Sequence, residues 1–189
     1  MANKVVFGLS SAHVAFLNEA TGTWGMPSPI LGAVNLALSG EGEESKFYAD
    51  DMAYYIARAN NGYSGDLEVA LMPDAILAEM QGWQVDDNGM VVEESDSEAA
   101  SFALLFEIQG NVAKKRYVFY KCSAGRPGVE HGTKGETTEP KTTTLPLTIT
   151  PIEVGSLTVV KAGMERTTAN VVAFDAFFDA VLEPVFSVS

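Results

Sequence analysis

Apolar and polar residues alternate along much of the chain with the two-residue period of strands buried on one face. In "GAVNLALSG", Val34, Leu36 and Leu38 share a side. "GDLEVALMP" sets Leu67, Val69 and Leu71 against Asp66 and Glu68, and "SFALLFEIQG" aligns Phe102, Leu104, Phe106 and Ile108. "KRYVFYKCS" is rich in the aromatic and β-branched residues that suit a pleated surface. "TTLPLTIT" alternates Leu145, Leu147 and Ile149 with Thr and Pro, and its Pro146 predicts an edge strand or a bulge. "SLTVVKAG" predicts one further strand. Between them, "DDNG" at 86–89 is a type I′ hairpin signal, and "QGNVAKKR" predicts a longer hairpin connection.

Two stretches keep a helical period instead. Pro73 suits a helix start, Ile76, Leu77 and Met80 form an apolar stripe, and Gly82 suits the stop. The second helix is expected from Thr168 or Asn170, either a good N-cap. Phe174, Phe177, Phe178, Val181 and Leu182 recur at i, i+3, i+4, i+7 and i+8, with Asp175 and Asp179 opposite and Pro184 after the end. The pattern predicts a mainly β chain with one major and one minor helix. Stretches 39–65 and 123–141 read as long, weakly structured loops, the second an extended arm; loops of that length are usually functional or mobile.

The chain has 189 residues, 47% of them hydrophobic, enough for one domain over 1–189 with a sizeable core. No apolar run approaches the roughly 20 residues that cross a bilayer, and no secretory signal is expected at the start. The lone Cys122 fits a reducing compartment. Net charge is −13, and the asymmetry matters more than the total. Residues 1–100 hold 16 acidic against three basic residues, whereas 101–189 hold nine of each. Such an acidic first half repels nucleic acid at contact, which argues against a DNA-reading role but suits a wall past which DNA must slide.

The sequence shows no nucleophile elbow and no phosphate-cradling glycine loop. His13 is expected to be a partly exposed strand residue and His131 part of the arm. Asp50 and Asp51 lie on opposite faces if their segment is a strand, so they do not converge on a metal or a proton. "VDDNGMVVEESDSE" lacks calcium-loop spacing. No catalytic residue, cofactor or metal is therefore expected. "SKFYADDMAYYIARANNGYSG" at 45–65 brings together Tyr48, Tyr54, Tyr55 and Tyr63. These are either ordinary tyrosines covering a sheet or a contact surface, since aromatic residues are enriched in interface cores.

Several stretches, in order and across most of the chain, carry a resemblance. They are "KFYADDMAYYIARANNGYSGDLEVALMPD" at 46–74, "FALLFEIQG" at 102–110, "KKRYVFYKCSAGRP" at 114–127, "TEPKTTTLPLTITP" at 138–151 and "NVVAFDAFFDAVLEP" at 170–184. Together they resemble the major tail protein, or tail tube protein, of long-tailed bacteriophages of Gram-positive bacteria, of the phi-thirteen type. The resemblance implies a β-sandwich or partly closed barrel flanked by one main helix. It implies six subunits per ring, strands joined into a continuous barrel, and rings stacked into a tube that conducts DNA into the host. It further implies a long loop or hairpin and terminal segments that reach neighbouring rings, and tape-measure and tail terminator or distal tail proteins as partners. The implied location is the virion, after assembly in the host cytoplasm, with no membrane role. With the short ending, the immunoglobulin-like domain that some relatives append is not expected.

On this reading the site is a distributed interface with no catalytic centre, and the alternative is a non-enzymatic receptor-binding or decoration module of a virion. The acidic stretch with Glu41, Glu43, Glu44, Asp50 and Asp51 is expected to meet Lys114, Lys115 and Arg116 across a subunit or ring boundary, or else to face the lumen. The polarity between the two halves suits head-to-tail assembly.

Overall fold

The structure is a computed structural model. It describes residues 8–49, 52–109, 114–129, 141–155 and 157–186; within 45–49 and 53–58 the description is of the backbone. In chain order the strands begin with β1 (Leu9–Asn18), β2 (Thr23–Trp24), β3 (Ser28–Ile30), β4 (Ala33–Glu41), β5 (Glu44–Ala49), β6 (Met52–Arg58) and β7 (Gly62–Val69). Helix α1 (Asp74–Gln81) precedes the short pair β8 (Gln84–Val85) and β9 (Val91–Val92). Then come β10 (Phe102–Ile108), β11 (Lys115–Ala124), β12 (Thr143–Ile149), β13 (Ile152–Val154), β14 (Leu157–Val159) and β15 (Lys161–Glu165). Helix α2 (Val171–Asp175) and a 3-10 turn (Ala176–Phe178) follow. The fold is mainly β with two short helices.

The main sheet is antiparallel in the order β2-β1-β10-β11-β12-β7-β4, with β3 beside β1 and β15 beside β11. Edge strand β4 comes back against β1 without pairing to it, so the sheet is curled but open. Its inner face encloses the larger core, which includes Val14, Leu67, Val69, Leu104, Leu145, Leu147 and Ile149. Helix α1 closes one end of that core with Met80, which is fully buried. The opposite face of β1, β10, β11 and β15 carries a second core: Ala15, Ala103, Leu105, Val118 and Tyr120, covered by Phe177, Phe178, Val181 and Leu182. Strand β10 is thus buried on both faces from Phe102 to Glu107. Seating the Phe177 ring here is worth roughly 1.5–3 kcal/mol.

Most predicted strands occur, and the departures have local causes. The β4–β7 register shifts between Ala33 and Asn35, which turns Val34 out to solvent while Leu36 and Leu38 keep the core side. Strand β7 ends at Val69, so Leu71 is 76% exposed. Pro146 sits inside β12, opposite Asp66 of β7; on its other side its carbonyl still accepts from Gly125 N–H at 2.7 Å, and the Gly125 carbonyl, which the proline has no N–H to serve, accepts from Gln81 Nε2 at 3.0 Å. The 86–89 turn is not type I′, which needs positive φ at both central residues. Among described non-glycine residues only Ser11 has positive φ. Gly89 (φ 83°) instead completes a three-residue connection, closed by Asp86 N–H donating to the Met90 carbonyl at 3.0 Å. The Asp86 carboxylate accepts from Met90 N–H at 2.7 Å and Asn88 N–H at 2.8 Å, and these bonds, Met90's foremost, hold it below the usual carboxylate range.

Helix α1 runs as expected, with Gly82 left-handed at its end (φ 67°). The second helix starts after Asn170 but covers only five residues before tightening. The Asn170 side chain does not cap it; it accepts from Thr167 N–H at 2.7 Å and donates to the Glu165 carbonyl at 2.8 Å, fixing the entry loop. Side chains of the sheet satisfy two of the segment's backbone carbonyls. Arg116 donates to the Phe174 carbonyl, and Tyr120 hydroxyl donates to the Leu182 carbonyl at 2.8 Å. The expected apolar face survives without the expected length of helix.

Candidate assembly surface

The stretch 39–65, expected as a loop, is the distal part of one long hairpin. The β4–β7 ladder ends at Glu41 opposite Gly62. Backbone bonds then carry it on, Asn61 N–H to the Glu41 carbonyl at 2.9 Å and Ala59 N–H to the Glu43 carbonyl at 3.0 Å. The pair β5–β6 continues from Glu44 opposite Arg58 to Ala49 opposite Met52. Among the described residues β5 and β6 pair only with each other, and neither has extensive contact with another element. Their six or seven residues extend about 20 Å at about 3.3 Å per residue. Among the described residues no strand pairs with the outer backbone edge of either.

Two glycines make the neck. Gly62 has φ 108°, and a Cβ there would overlap the Ile149 carbonyl. A Cβ on Gly42 would overlap the Ala59 carbonyl. The close approach of backbones where the hairpin leaves the sheet therefore excludes any side chain.

The basic triplet divides, and Arg116 is a correction. Its side chain is 14% exposed, and its Nε donates to Glu107 Oε2 at 2.9 Å. Its guanidinium lies 4.1 Å from the Phe174 ring centre and 4.6 Å from that of Phe178. Arg116 therefore holds the C-terminal segment to its own sheet, and its charge is engaged inside the subunit. Lys114 is 62% exposed, with Nζ 3.9 Å from Glu107, and Lys115 lies over its own Tyr117 at 5.2 Å. These two lysines are the cations of the triplet at the surface. Strand parity was the sequence signal for the difference: Arg116 shares a face with Val118 and Tyr120, and Glu107 lies directly across from it in β10.

Of the expected acids, Glu41 accepts from the Ser64 hydroxyl, and Glu43 and Glu44 are exposed. Asp50 and Asp51 lie outside the described residues, as does His131. Tyr48, Tyr54 and Tyr55 lie on the hairpin strands β5 and β6. Tyr63 belongs to the neck and packs inward, 5.4 Å from the Phe119 ring, with Lys161 Nζ 4.6 Å above it. His13 is a half-buried residue of β1, stacked on Phe178 at 4.5 Å with Nδ1 2.8 Å from the Ser11 carbonyl. Cys122 is fully buried, and burial pushes its thiol well above its usual range, so it offers no thiolate. Among the described residues no group of three or more His, Cys, Asp or Glu is placed to hold a metal ion. No described helix is long and apolar enough to cross a membrane.

A groove of about 1080 Å³ opens at the other end of the long hairpin, where β7 ends and β12 begins. The sequence reading missed it. Leu71, Met72, Leu77, Trp83 and Val129 contribute to its lining, and the Arg126–Glu93 pair at 2.9 Å borders it. Leu71 is 76% and Val129 84% exposed.

The sequence matches no protein-family model and no curated protein.

Proposed function

We propose that this chain is a structural subunit that builds a hollow tube from copies of itself, six to a ring and ring upon ring, as in the tail tube of a long-tailed bacteriophage. The observation that carries the reading is the self-paired hairpin 44–58, whose strands pair with no other strand among the described residues. Such edges invite pairing with another chain, and a closed ring of subunits satisfies every one of them. Here a sister copy supplies the missing strand, and the joined sheets form the channel wall. The glycine neck holds the hairpin at a set angle for that contact.

Charge suits the task. Six copies at −13 give a ring of −78, which a polyanion in transit does not adhere to. Glu43 and Glu44 on the hairpin base face Lys114 and Lys115 of a neighbour, a pairing that sets register more than affinity. The reading assigns the chain no catalytic step and no cofactor. Its partners are sister copies, the tape-measure protein inside the tube, the terminator and distal tail proteins at its ends, and DNA passing without specific contacts. The tube belongs to the virion.

Negative-stain microscopy and sedimentation of the purified chain test this. Rings and long hollow tubes are expected. A chain that stays single at every concentration overturns the reading and favours a receptor-binding or decoration module instead.

A further inference from the structure

Asparagine is followed by glycine twice in the chain, at Asn61–Gly62 and Asn88–Gly89. Such a pair can react with itself, because glycine has no Cβ to keep its nitrogen away from the asparagine side chain. The glycine nitrogen attacks Asn Cγ and forms an N–Cγ bond. The Cγ–Nδ2 bond breaks, and ammonia leaves with the proton that the peptide nitrogen gives up. The cyclic imide then takes up water. Cleavage of its N–Cγ bond gives aspartate; cleavage of its other N–C bond gives isoaspartate, whose main chain runs through Cβ and Cγ. One water enters and one ammonia leaves.

The two pairs sit in different surroundings. Gly62 is buried, opposite Glu41 in the β4–β7 ladder and next to Tyr63, which pairs with Ile149 of β12. Its N–H donates to Asn60 Oδ1 at 3.2 Å, and Asn61 N–H donates to the Glu41 carbonyl at 2.9 Å. Cyclisation there requires the end of β7 to leave the main sheet. Asn88 and Gly89 are exposed, and nothing lies within 4 Å of the place a Gly89 Cβ would take. Their turn is closed by two residue pairs, Gln84 opposite Val92 and Val85 opposite Val91. Among the described residues β8 and β9 pair only with each other. A short two-stranded hairpin is marginally stable, and such elements open locally at a free energy far below that of global unfolding.

One residue restrains the exposed pair. The Asp86 carbonyl accepts from Gly89 N–H at 2.9 Å, which holds the attacking nitrogen. Asp86 Oδ2 accepts from Asn88 Nδ2 at 3.1 Å, which holds the amide that must leave. Asp86 Oδ1 accepts from Asn88 N–H at 2.8 Å and Met90 N–H at 2.7 Å and keeps the turn shut.

We propose that Asn88–Gly89 is a modification site at which the chain deamidates spontaneously, that Asp86 is the latch that sets the rate, and that Asn61–Gly62 is spared by its place in the main sheet. Water is the only co-reactant. The reaction puts a new carboxylate beside Asp86 and Asp87, and isoaspartate adds a methylene to the main chain of the turn. Glu93, just beyond β9, pairs with Arg126 at 2.9 Å, so a distorted hairpin loosens one wall of the groove. The inference stands apart from the tube reading, and neither depends on the other.

The experiment incubates the full folded chain at mildly alkaline pH and follows it by peptide mapping with mass spectrometry, with isoaspartate counted by enzymatic methylation. A gain of about 1 Da with isoaspartate is expected at residue 88 and none at residue 61, whereas both positions gain it in urea. No gain at residue 88, or equal gains at 61 and 88 in the folded chain, overturns the inference. Asp86→Ala is expected to speed the reaction at residue 88 several-fold with residue 61 still unchanged, and Gly89→Ala to slow it at least as much. A rate in Asp86→Ala equal to or below that of wild type overturns the latch.

Discussion

Removal of the Arg116 side chain should loosen the whole C-terminal segment, although its sequence neighbours Lys114 and Lys115 lead to the expectation of a contact between subunits. Arg116→Ala leaves Glu107, 8% exposed, without its main partner. Deleting one member of a buried pair costs about 3–5 kcal/mol. Lys114, already 3.9 Å from Glu107, can swing in and recover part of that, which sets the ionic loss near the low end, about 3 kcal/mol. The guanidinium also lies over two phenyl rings, about 0.5–2 kcal/mol for such contacts, and its bond to the Phe174 carbonyl is worth about 1.5–3 kcal/mol as a charged hydrogen bond. All three share one side chain and do not add. The expected total is about 4 kcal/mol, a fall of roughly 10 °C in Tm for a domain of this size.

Urea unfolding followed by tryptophan fluorescence reads this directly, because Trp24 packs beside Tyr120 beneath the segment while Trp83 lies by the groove. Arg116→Lys should recover little, since a point charge reproduces neither the fork nor the stacking. Replacing both partners, Glu107→Leu with Arg116→Met, should come within about 2 kcal/mol of wild type, because no buried charge is then stranded. A loss below about 1 kcal/mol for Arg116→Ala, or a double variant as unstable as the single one, refutes the reasoning. One practical consequence is that reversing all three basic residues would unfold the segment and so could not probe a contact between subunits. Lys114→Glu with Lys115→Glu is the informative variant: it should slow assembly most at low salt and leave Tm within about 2 °C of wild type.

Phe177→Ala empties the centre of the second core and should cost about 3–5 kcal/mol in the same urea assay. Gly62→Ala and Gly89→Ala both place a Cβ at positive φ, but only the first meets a carbonyl; Gly89→Ala should cost about 1 kcal/mol and Gly62→Ala clearly more, with loss of ordered assembly on microscopy. Tyr120 is pushed up to about 12 by burial, with the Glu183 carboxylate second. Because the folded value lies above the unfolded value of about 10, its contribution is complete below pH 10 and is lost as pH rises toward 12, by about 1.4 kcal/mol per pH unit. Tyr120→Phe should therefore lose about 1 kcal/mol at pH 7 with its bond to Leu182, and should show a shallower stability decline than wild type between pH 10 and 12.

The architecture was most legible where one face of an element is buried by the subunit itself. Alternation in 143–149 follows from the inner core, the near-continuous apolar run in 102–106 follows from burial between the two cores, and the i, i+3, i+4 spacing of Phe174, Phe177 and Phe178 follows mainly from the outer one. Periodicity does not report how long a helix lasts. The aromatic face from Phe174 to Leu182 needs only contact with the sheet, and once Arg116 and Tyr120 supply hydrogen bonds to Phe174 and Leu182, continued α-helix is unnecessary. Nor does it foresee a bulge: the extra residue at Val34 reverses parity locally and exposes a valine that the pattern assigned to the core.

The hairpin 44–58 escaped the pattern for a reason that bears on the proposed role. A strand shows a two-residue period only when its own subunit buries one face and leaves the other to water. Among the described residues β5 and β6 pair with no other strand, and "KFYADDMAYY" carries aromatic, acidic and small residues without the alternation that a sheet face buried by its own subunit would select. A soluble monomer has little use for such a segment: a two-stranded hairpin alone is marginally stable in water, and its unpaired edges promote aggregation. The chain nonetheless commits two glycines to a neck where no other residue fits, and places four aromatic residues, Phe47, Tyr48, Tyr54 and Tyr55, beyond it. That combination suits a hairpin whose burying surface another molecule contributes, and in the proposed ring the sister copies are the molecules present at the required spacing.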